Sequence, residues 1–363
     1  MRAADDRERA ALARAVELAA TPGVPHGPNP RVGAVLLAPD GTVVAEGFHR
    51  GAGTPHAEAD ALARAGDRAA GTTAVVTLEP CNHTGRTGPC AQALVAAGVA
   101  RVVFAQSDPN PVAAGGARTL AAAGVDVASG AQAVGAELLA AAEALNEAWT
   151  FAMRHGRPFV TWKAAATLDG RIAAADGTSR WITSSPARAD VHALRAQVDA
   201  VMVGTGTVLA DDPHLGVRRD GQVAPGAQPL RVVVGRRDLP AGARVLDATG
   251  PTLHLRTHDP AEALAALVPH DVQHVLLEGG PRLAAAFVRA GLVDAVRWYV
   301  APALLGAGQP ALADAGMSTI TDALRLQVRD VARVGDDVRI DARVVRAQED
   351  GTGTPPGRTG QED

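Results

Sequence analysis

Short apolar runs alternate with Ala-rich stretches of helical spacing along most of the chain, and this alternation predicts strands laid between helices. Residues 6–20 carry a helical pattern, with Asp6 the candidate cap. Val32–Ala38 and Val43–Phe48 flank Pro39-Asp40-Gly41, which predicts a hairpin. A helix is expected to begin near His56, a buried strand to span Ala74–Leu78, and another helix to follow Pro89. Val102–Ala105 and Val125–Val127 read as strands between Ala-rich helices. Such alternation implies a mostly parallel sheet covered by helices.

The pattern pauses at Met153-Arg154-His155-Gly156-Arg157-Pro158 and restarts with the strand Phe159–Lys163, so a boundary is placed near residue 150. Further strands are expected at Asp199–Val203, Leu230–Val234, Val275–Leu277 and Ala295–Val300, with helices over 187–197 and 281–290. Leu324–Val334 and Asp337–Val344 have no helix between them and predict an antiparallel edge. The expected division is 1–150, 151–347 and a polar, Gly/Pro-rich tail over 348–363 that reads as disordered.

Composition narrows the function. A chain of 363 residues exceeds one typical domain, and 47% hydrophobic residues suffice for two cores. Aromatics are only 3%, leaving few rings on which bases can stack, and the formal charge is −4. Both count against a nucleic-acid binder. No apolar run reaches the roughly 20 residues of a membrane helix. The opening Met1-Arg2-Ala3-Ala4-Asp5-Asp6-Arg7-Glu8 is too charged to lead a signal peptide. A cytoplasmic protein is expected, in which Cys81 and Cys90, the only cysteines, stay unbridged.

Those cysteines belong to a constellation. His56-Ala57-Glu58 is followed, after a predicted strand, by Glu79-Pro80-Cys81 and then Cys90. One imidazole and two thiolates suit zinc, and three protein ligands leave a fourth position for water, whose pKa the metal lowers. Glu58, two residues from the His, is placed to shuttle protons, as the non-ligating Glu of base deaminases does. Pro89 suits the first position of a helix, which puts Cys90 in its first turn, where the dipole favours thiolate. Three plainer readings stand beside this one: a buried apolar Cys90, a structural zinc closed by His83, or a surface His56.

In the second half no G-x-G-x-x-G follows a strand, which argues against a Rossmann domain. Gly204-Thr205-Gly206 is a weak signal. Glu278-Gly279-Gly280-Pro281 ends an apolar strand and opens a helix, where amides can receive phosphate; a tight turn explains it equally well. Arg236 and Arg237 follow the strand Leu230–Val234, at a suitable place for an adenosine 2′-phosphate or, alternatively, as solvated turn residues.

With these motifs the chain resembles the bifunctional bacterial riboflavin-biosynthesis deaminase–reductases from about residue 8 to 344. The matching stretches are Asn29-Pro30-Arg31-Val32-Gly33, His56-Ala57-Glu58, Thr77-Leu78-Glu79-Pro80-Cys81 and Asp108-Pro109-Asn110-Pro111. The loop Asn82–Pro89 closed by Cys90 separates this family from deaminases whose cysteines lie two residues apart. Lys163–Arg171, Ser179–Thr183, Thr207–Pro213 and Glu278–Pro281 match in order in the second half.

The resemblance implies a cytidine-deaminase-like α/β/α domain followed by a dihydrofolate-reductase-like α/β domain, with one zinc per chain and NADPH as cofactors. It makes His56, Cys81 and Cys90 the zinc ligands and Glu58 the proton shuttle. Asn29, His49, His83, Arg86, Asp108 and Asn110 become substrate contacts, Arg86 supplying a cation for a phosphate. In the reductase half, Ala165, Trp181, Thr207, Asp211, Arg236 and the run Gly280, Pro281, Arg282, Leu283, Ala284, Ala285 and Ala286 become cofactor contacts. Ser179, Arg195, Leu215, Arg218 and Glu278 become substrate contacts; two arginines suit a sugar phosphate, since guanidinium grips phosphate bidentately. Trp181 in a core, Arg195 on a helix surface and Asp211-Asp212-Pro213 as a turn are the plain alternatives. The implied activity is deamination of 2,5-diamino-6-ribosylamino-4(3H)-pyrimidinone 5′-phosphate, then reduction of its ribosyl group. A deaminase with a degenerate reductase, a nucleic-acid base deaminase and a non-catalytic zinc protein are the other classes. The expected partners are the pyrimidine nucleotide and further copies of the chain, with neither nucleic acid nor membrane.

Overall fold

Strands β1 (Gly33–Leu37), β2 (Val43–Phe48), β3 (Thr73–Leu78), β4 (Arg101–Gln106) and β5 (Asp126–Ser129) form the first sheet of the computed structural model. The structure describes residues 2–83, 88–219, 221–226 and 228–346; Arg86 and the expected tail, 348–363, lie outside the described residues. The order is β2-β1-β3-β4-β5, with β1 antiparallel to both neighbours and β3, β4 and β5 parallel. Alternate residues of each strand enter opposite cores. Leu36, Val76 and Phe104 pack with α2 (Ala57–Ala65), α3 (Cys90–Ala96) and α4 (Gly116–Ala122). Val35, Val75 and Val103 pack against α1 (Asp6–Ala19), α5 (Gly130–Val134) and α6 (Ala136–Leu145). Strands buried on both faces explain why these segments read as continuous apolar runs.

The cap of α1 is Asp5, one residue before the expected Asp6. Asp5 Oδ1 accepts from Glu8 N (3.0 Å) while Glu8 Oε2 accepts from Asp5 N (2.9 Å). Asp6 has Arg9 three residues on and no such reciprocal acceptor. Glu8 also accepts from Arg101 Nε (2.8 Å), joining α1 to the start of β4 beneath the protein surface.

Helix α7 (Glu147–His155) runs through residue 150 and carries the chain to the second unit. Its Trp149 belongs to the first core, while Phe151 meets Phe159 edge-on at 5.3 Å. The second unit then runs β6 (Phe159–Thr167), β7 (Arg171–Ala173), α8 (Ser185–Arg195), β8 (Ala200–Gly204), α9 (Thr205–Asp211), β9 (Arg218–Arg219), β10 (Gln222–Val223), β11 (Leu230–Val234), β12 (Thr252–Leu255) and α10 (Pro260–Ala265). It ends with β13 (His274–Leu277), α11 (Pro281–Arg289), β14 (Ala295–Ala301), β15 (Gln309–Pro310), β16 (Leu326–Val334) and β17 (Asp337–Val344). Eight strands make one sheet in the order β12-β11-β8-β13-β6-β14-β17-β16. The six strands from β12 to β14 are parallel, and β17 and β16 close the edge antiparallel, as the missing helix between them predicts. β12 and α9 are elements that the hydrophobic pattern did not predict. β12 is half-buried at the sheet edge, and α9 is short and contains Gly206.

Glu8→Gln keeps the shape of the α1 cap but removes the charge that Arg101 faces. Asp126, on the other side of Arg101, still pairs with it. The expected loss is therefore the roughly 1.5–3 kcal/mol of a charged hydrogen bond. Urea unfolding should show a lower midpoint at unchanged slope; an unchanged midpoint would remove the Glu8–Arg101 pair from the framework.

Candidate functional site

Two helix starts and one strand end converge on His56, Cys81 and Cys90. His56 caps α2 with extended backbone, and its side chain makes no capping bond. Helix α2 is held against β2 because position 47 is glycine: a Cβ there would stand 2.4 Å from the Ala57 carbonyl and 2.5 Å from Ala61 N. Cys81 follows β3, and Gly116 lets the turn lie on α4, since a Cβ there would overlap the Pro80 carbonyl at 1.7 Å. Cys90 is the first residue of α3, with Pro89 as its cap rather than its first position. The Cys90 amide points at Cys81 Sγ (3.4 Å).

His56 Nδ1 lies 3.5 Å from Cys81 Sγ and 3.3 Å from Cys90 Sγ, and the three atoms are all within 4.8 Å of one another. Zinc bonds of ~2.0–2.3 Å at tetrahedral angles require N–S edges of about 3.5 Å, so the donor set fits the metal. The thiols respond to each other. Their mutual hydrogen bond, ahead of His56, lowers Cys81 and raises Cys90. Among the described residues no fourth His, Cys, Asp or Glu completes the cluster.

Glu58 lies in the first turn of α2, 4% exposed, and burial pushes its carboxyl up to about 7. It lines a cavity of about 440 Å³ together with His56, Cys81, Asn29, His49, His83, Asp108 and Asn110. Among the described residues, the sequence-derived deaminase residues other than Cys90 thus line one space. His49 Nδ1 faces the Pro55 carbonyl (2.9 Å) and so carries the proton, leaving Nε2 to accept from Asn29 Nδ2 (3.1 Å). Asp108, raised to about 6 by burial, accepts from Asn110 N (2.8 Å).

Sequence reasoning gave no role to Glu79. Its buried carboxylate accepts from the amides of Asp108 (3.2 Å), Gly115 (3.2 Å) and Ala117 (3.0 Å), so it builds the loop that carries Asp108 and Asn110. The signal was a carboxylate at the end of an apolar strand beside Pro80.

Of the expected reductase residues, Ala165 lies near the carboxyl end of β6, Thr207 in the helix after β8, and Glu278 and Gly280 directly after β13. β8 and β13 are parallel neighbours, and a helix follows each. Thr207 in α9 and Gly280 at the start of α11 meet there: a Cβ on Gly280 would lie 3.7 Å from Thr207 Oγ1. Half-buried Gly280 caps α11 without a side chain, leaving its first amides for a phosphate, as NADPH requires. Ala284 and Ala285 face the core at 0% and 2% exposure, whereas Arg282, Leu283 and Ala286 reach the surface to some degree. Ala165 is half-buried on β6; Asp211 is exposed, its carbonyl accepting from Arg180 (2.8 Å). Trp181 is 69% exposed, with the Arg188 guanidinium 4.4 Å above its ring.

Arg195 and Glu278 form a bidentate pair (2.7 and 3.0 Å). Burial pushes Glu278 upward, but the Arg195 charge and hydrogen bonds prevail and hold it at about 2. Lys163 stands close enough to feel Glu278, and desolvation lowers it. Arg218 is half-buried nearby, and half-buried Ser179 lies in the turn before Trp181. Leu215 has φ 63 and is 2% exposed, so what it can present is main chain. The Arg236 carbonyl accepts from Arg256 (3.1 Å), while a Cβ on Gly206 would stand 3.1 Å from Arg237 Nη2, placing the second arginine beside the start of α9.

Fold and sites together define a zinc deaminase joined to a reductase of dihydrofolate-reductase-like fold. Residues 6–106 match the cytidine and deoxycytidylate deaminase zinc-binding region, and residues 158–340 match the RibD C-terminal domain. The riboflavin biosynthesis protein RibD of Mycobacterium tuberculosis is 54% identical over 312 residues, covering 86% of this chain and 90% of that protein. The Escherichia coli protein of the same name is 40% identical over 361 residues, covering 90% and 96%. The solved structure of Acinetobacter baumannii RibD superposes with a TM-score of 0.85 at 39% identity, over 94% of this chain and 99% of that one. The chain belongs to the RibD family of bifunctional riboflavin-biosynthesis deaminase–reductases.

The purified chain should hold one zinc ion through His56, Cys81 and Cys90. Cys81→Ser and Cys90→Ser each remove a thiolate and should release it, as read by elemental analysis. Full zinc in both variants would overturn the ligand set.

Proposed function

We propose that this chain deaminates 2,5-diamino-6-ribosylamino-4(3H)-pyrimidinone 5′-phosphate hydrolytically, taking up water and releasing ammonia. NADPH then reduces the ribosyl group to give 5-amino-6-ribitylaminouracil 5′-phosphate. The observation that carries this reading is Glu58: a buried carboxyl, raised to about 7, on the wall of the cavity that His56 and Cys81 line. Zinc, when bound, makes a water acidic enough to act as nucleophile near neutral pH. With zinc held by His56, Cys81 and Cys90, Glu58 would take a proton from the attacking water and pass it to the departing amine. Asn29, His49, His83, Asp108 and Asn110 seat the pyrimidine, and Arg86 meets its phosphate.

In the reductase the hydride chemistry belongs to the cofactor, and the protein positions and stabilises. Ala165, Trp181, Thr207, Asp211, Arg236 and the accessible part of Gly280–Ala286 hold NADPH, Ala284 and Ala285 being enclosed in the core. Ser179, Arg195, Leu215, Arg218 and Glu278 hold the sugar phosphate. Support comes from Thr207, Glu278 and Gly280, which follow the carboxyl ends of β8 and β13, where open α/β sheets bind ligands. The Arg195–Glu278 pair leaves Arg218 as the freer cation for a phosphate.

The division of labour follows the chain: deaminase over 1–150 and reductase over 151–347. We take the enzyme to work in the cytoplasm, and as a homo-oligomer, supported by Val328 and Val331 exposed at 56% and 59% on edge strand β16. No helix among the described residues is long and apolar enough to cross a membrane.

Glu58→Gln keeps the shape and removes the titrating proton, so deamination should fall by about 100-fold or more. Reduction of already deaminated nucleotide should stay near wild type. Equal loss of both activities would refute the assignment of Glu58 to the deaminase alone.

Arg236→Ala should weaken NADPH by about 1.5–3 kcal/mol, the range of a charge-assisted hydrogen bond, and NADH far less. Arg237→Ala, measured beside it, tests which arginine serves the 2′-phosphate. The readout is cofactor affinity by fluorescence titration together with the NADPH/NADH efficiency ratio. If neither variant moves either quantity, both arginines leave the site.

A further inference from the structure

Gln273 belongs by position to the reductase sheet, just before β13, yet it lines the deaminase cavity. Its main chain is locked into its own domain. Its amide donates to Asp199 Oδ2 (2.9 Å), its carbonyl accepts from Phe159 N (2.8 Å), and His274 N donates to the same Asp199 oxygen (2.9 Å). The side chain crosses to the other domain, where Nε2 donates to the Pro28 carbonyl at 2.8 Å. That carbonyl can only accept, so the amide orientation is fixed.

Pro28 begins a tightly held wall. Asn29 donates to His49 Nε2 (3.1 Å), and Arg31 is clamped by Asn146, which accepts from its amide (2.7 Å) and donates to its carbonyl (2.8 Å). The loop is also pressed onto the aspartate that holds Gln273, since a Cβ at Gly27 would stand 2.5 Å from Asp199 Oδ1. Gln273 Oε1, by contrast, is buried with no partner among the described residues. A buried acceptor without a donor is unfavourable, and an apolar chain of equal length would avoid it. Folding stability therefore does not account for an amide here; its donated bond does.

We propose that Gln273 is a positioning residue of the deaminase. From the reductase domain its amide fixes the Pro28–Asn29 wall on which the pyrimidine nucleotide seats, so affinity in the first site depends on the docked second sheet. The inference rests on the function proposed above. It adds a residue from outside the deaminase domain, and it places the effect on binding rather than on the proton transfer at Glu58.

The test uses the full-length, zinc-loaded enzyme and two variants. Gln273→Met keeps length and removes both the donor and the unpaired acceptor. Gln273→Glu keeps shape but turns a carboxylate towards the Pro28 carbonyl. The Met variant should melt no lower than wild type, yet its KM for deamination should rise about 3- to 10-fold, the worth of one hydrogen bond. Its kcat should change less than about twofold, the signature of lost uniform binding. The Glu variant should raise KM further, and both should reduce deaminated nucleotide normally. An active wild type with unchanged KM in both variants would overturn the inference and leave the proposed function intact. So would a parallel fall of both activities and melting temperature, which marks a purely structural residue. A zinc-loaded wild type that fails to deaminate the nucleotide would overturn the function and the inference together.

Discussion

The inner strands of both sheets are buried on their two faces, and this constraint decides where chemistry can occur. A strand covered on both sides has no free face, so polar side chains can emerge only at strand ends and at the starts of the helices that follow. His56, Cys81 and Cys90 all obey it, as do Glu278, Gly280 and Thr207. Helix starts also leave amides without intrahelical partners, which is why a thiolate sits at one and a phosphate suits another. The close approach of helices to sheet that makes this burial complete depends on Gly47 and Gly116, where any side chain would strike backbone.

Electrostatics then separates the two sites. In the deaminase, burial outweighs the opposing pull of His56 on Glu58 and of His83 on Asp108 and lifts both carboxyls. In the reductase, Glu278 is equally enclosed but faces Arg195 squarely and stays ionised. Two buried carboxyls are thus shifted in opposite directions, Glu278 down because a guanidinium faces it and Glu58 up because burial prevails. Glu79 spends its oxygens on three loop amides and so holds the cavity wall in place.

The sites lie at opposite ends of the second sheet. Gln273 touches the deaminase cavity at the amino end of β13, and Glu278 enters the reductase site at its carboxyl end. Five residues of strand span roughly 16 Å. The inner strands of that sheet are therefore a partition between the two reactions as well as a scaffold for the second, with Trp149 and Gln273 shared between the deaminase cavity and a second cavity behind it.

Much of this was legible in the residues. Leu230–Val234 has the strand bounds expected of it, because a buried strand must be apolar along its length; Val43–Phe48, only partly buried, has its expected bounds from the turn that precedes it. The zinc set was legible because donor chemistry restricts it to few residue types, and the long loop between the cysteines identified the family. What the sequence could not determine was pairing between distant side chains. Nothing local distinguishes Asp5 from Asp6 as a cap except the reach of Glu8, and nothing in the run before β13 shows that Gln273 faces another domain. Arg195 and Glu278, read separately as ligand contacts, turn out to bind each other. Burial pattern and ligand chemistry are carried by each residue and its near neighbours, whereas hydrogen-bond partners 83 residues apart, for Arg195 and Glu278, or 245 apart, for Pro28 and Gln273, exist only once the sheets have assembled.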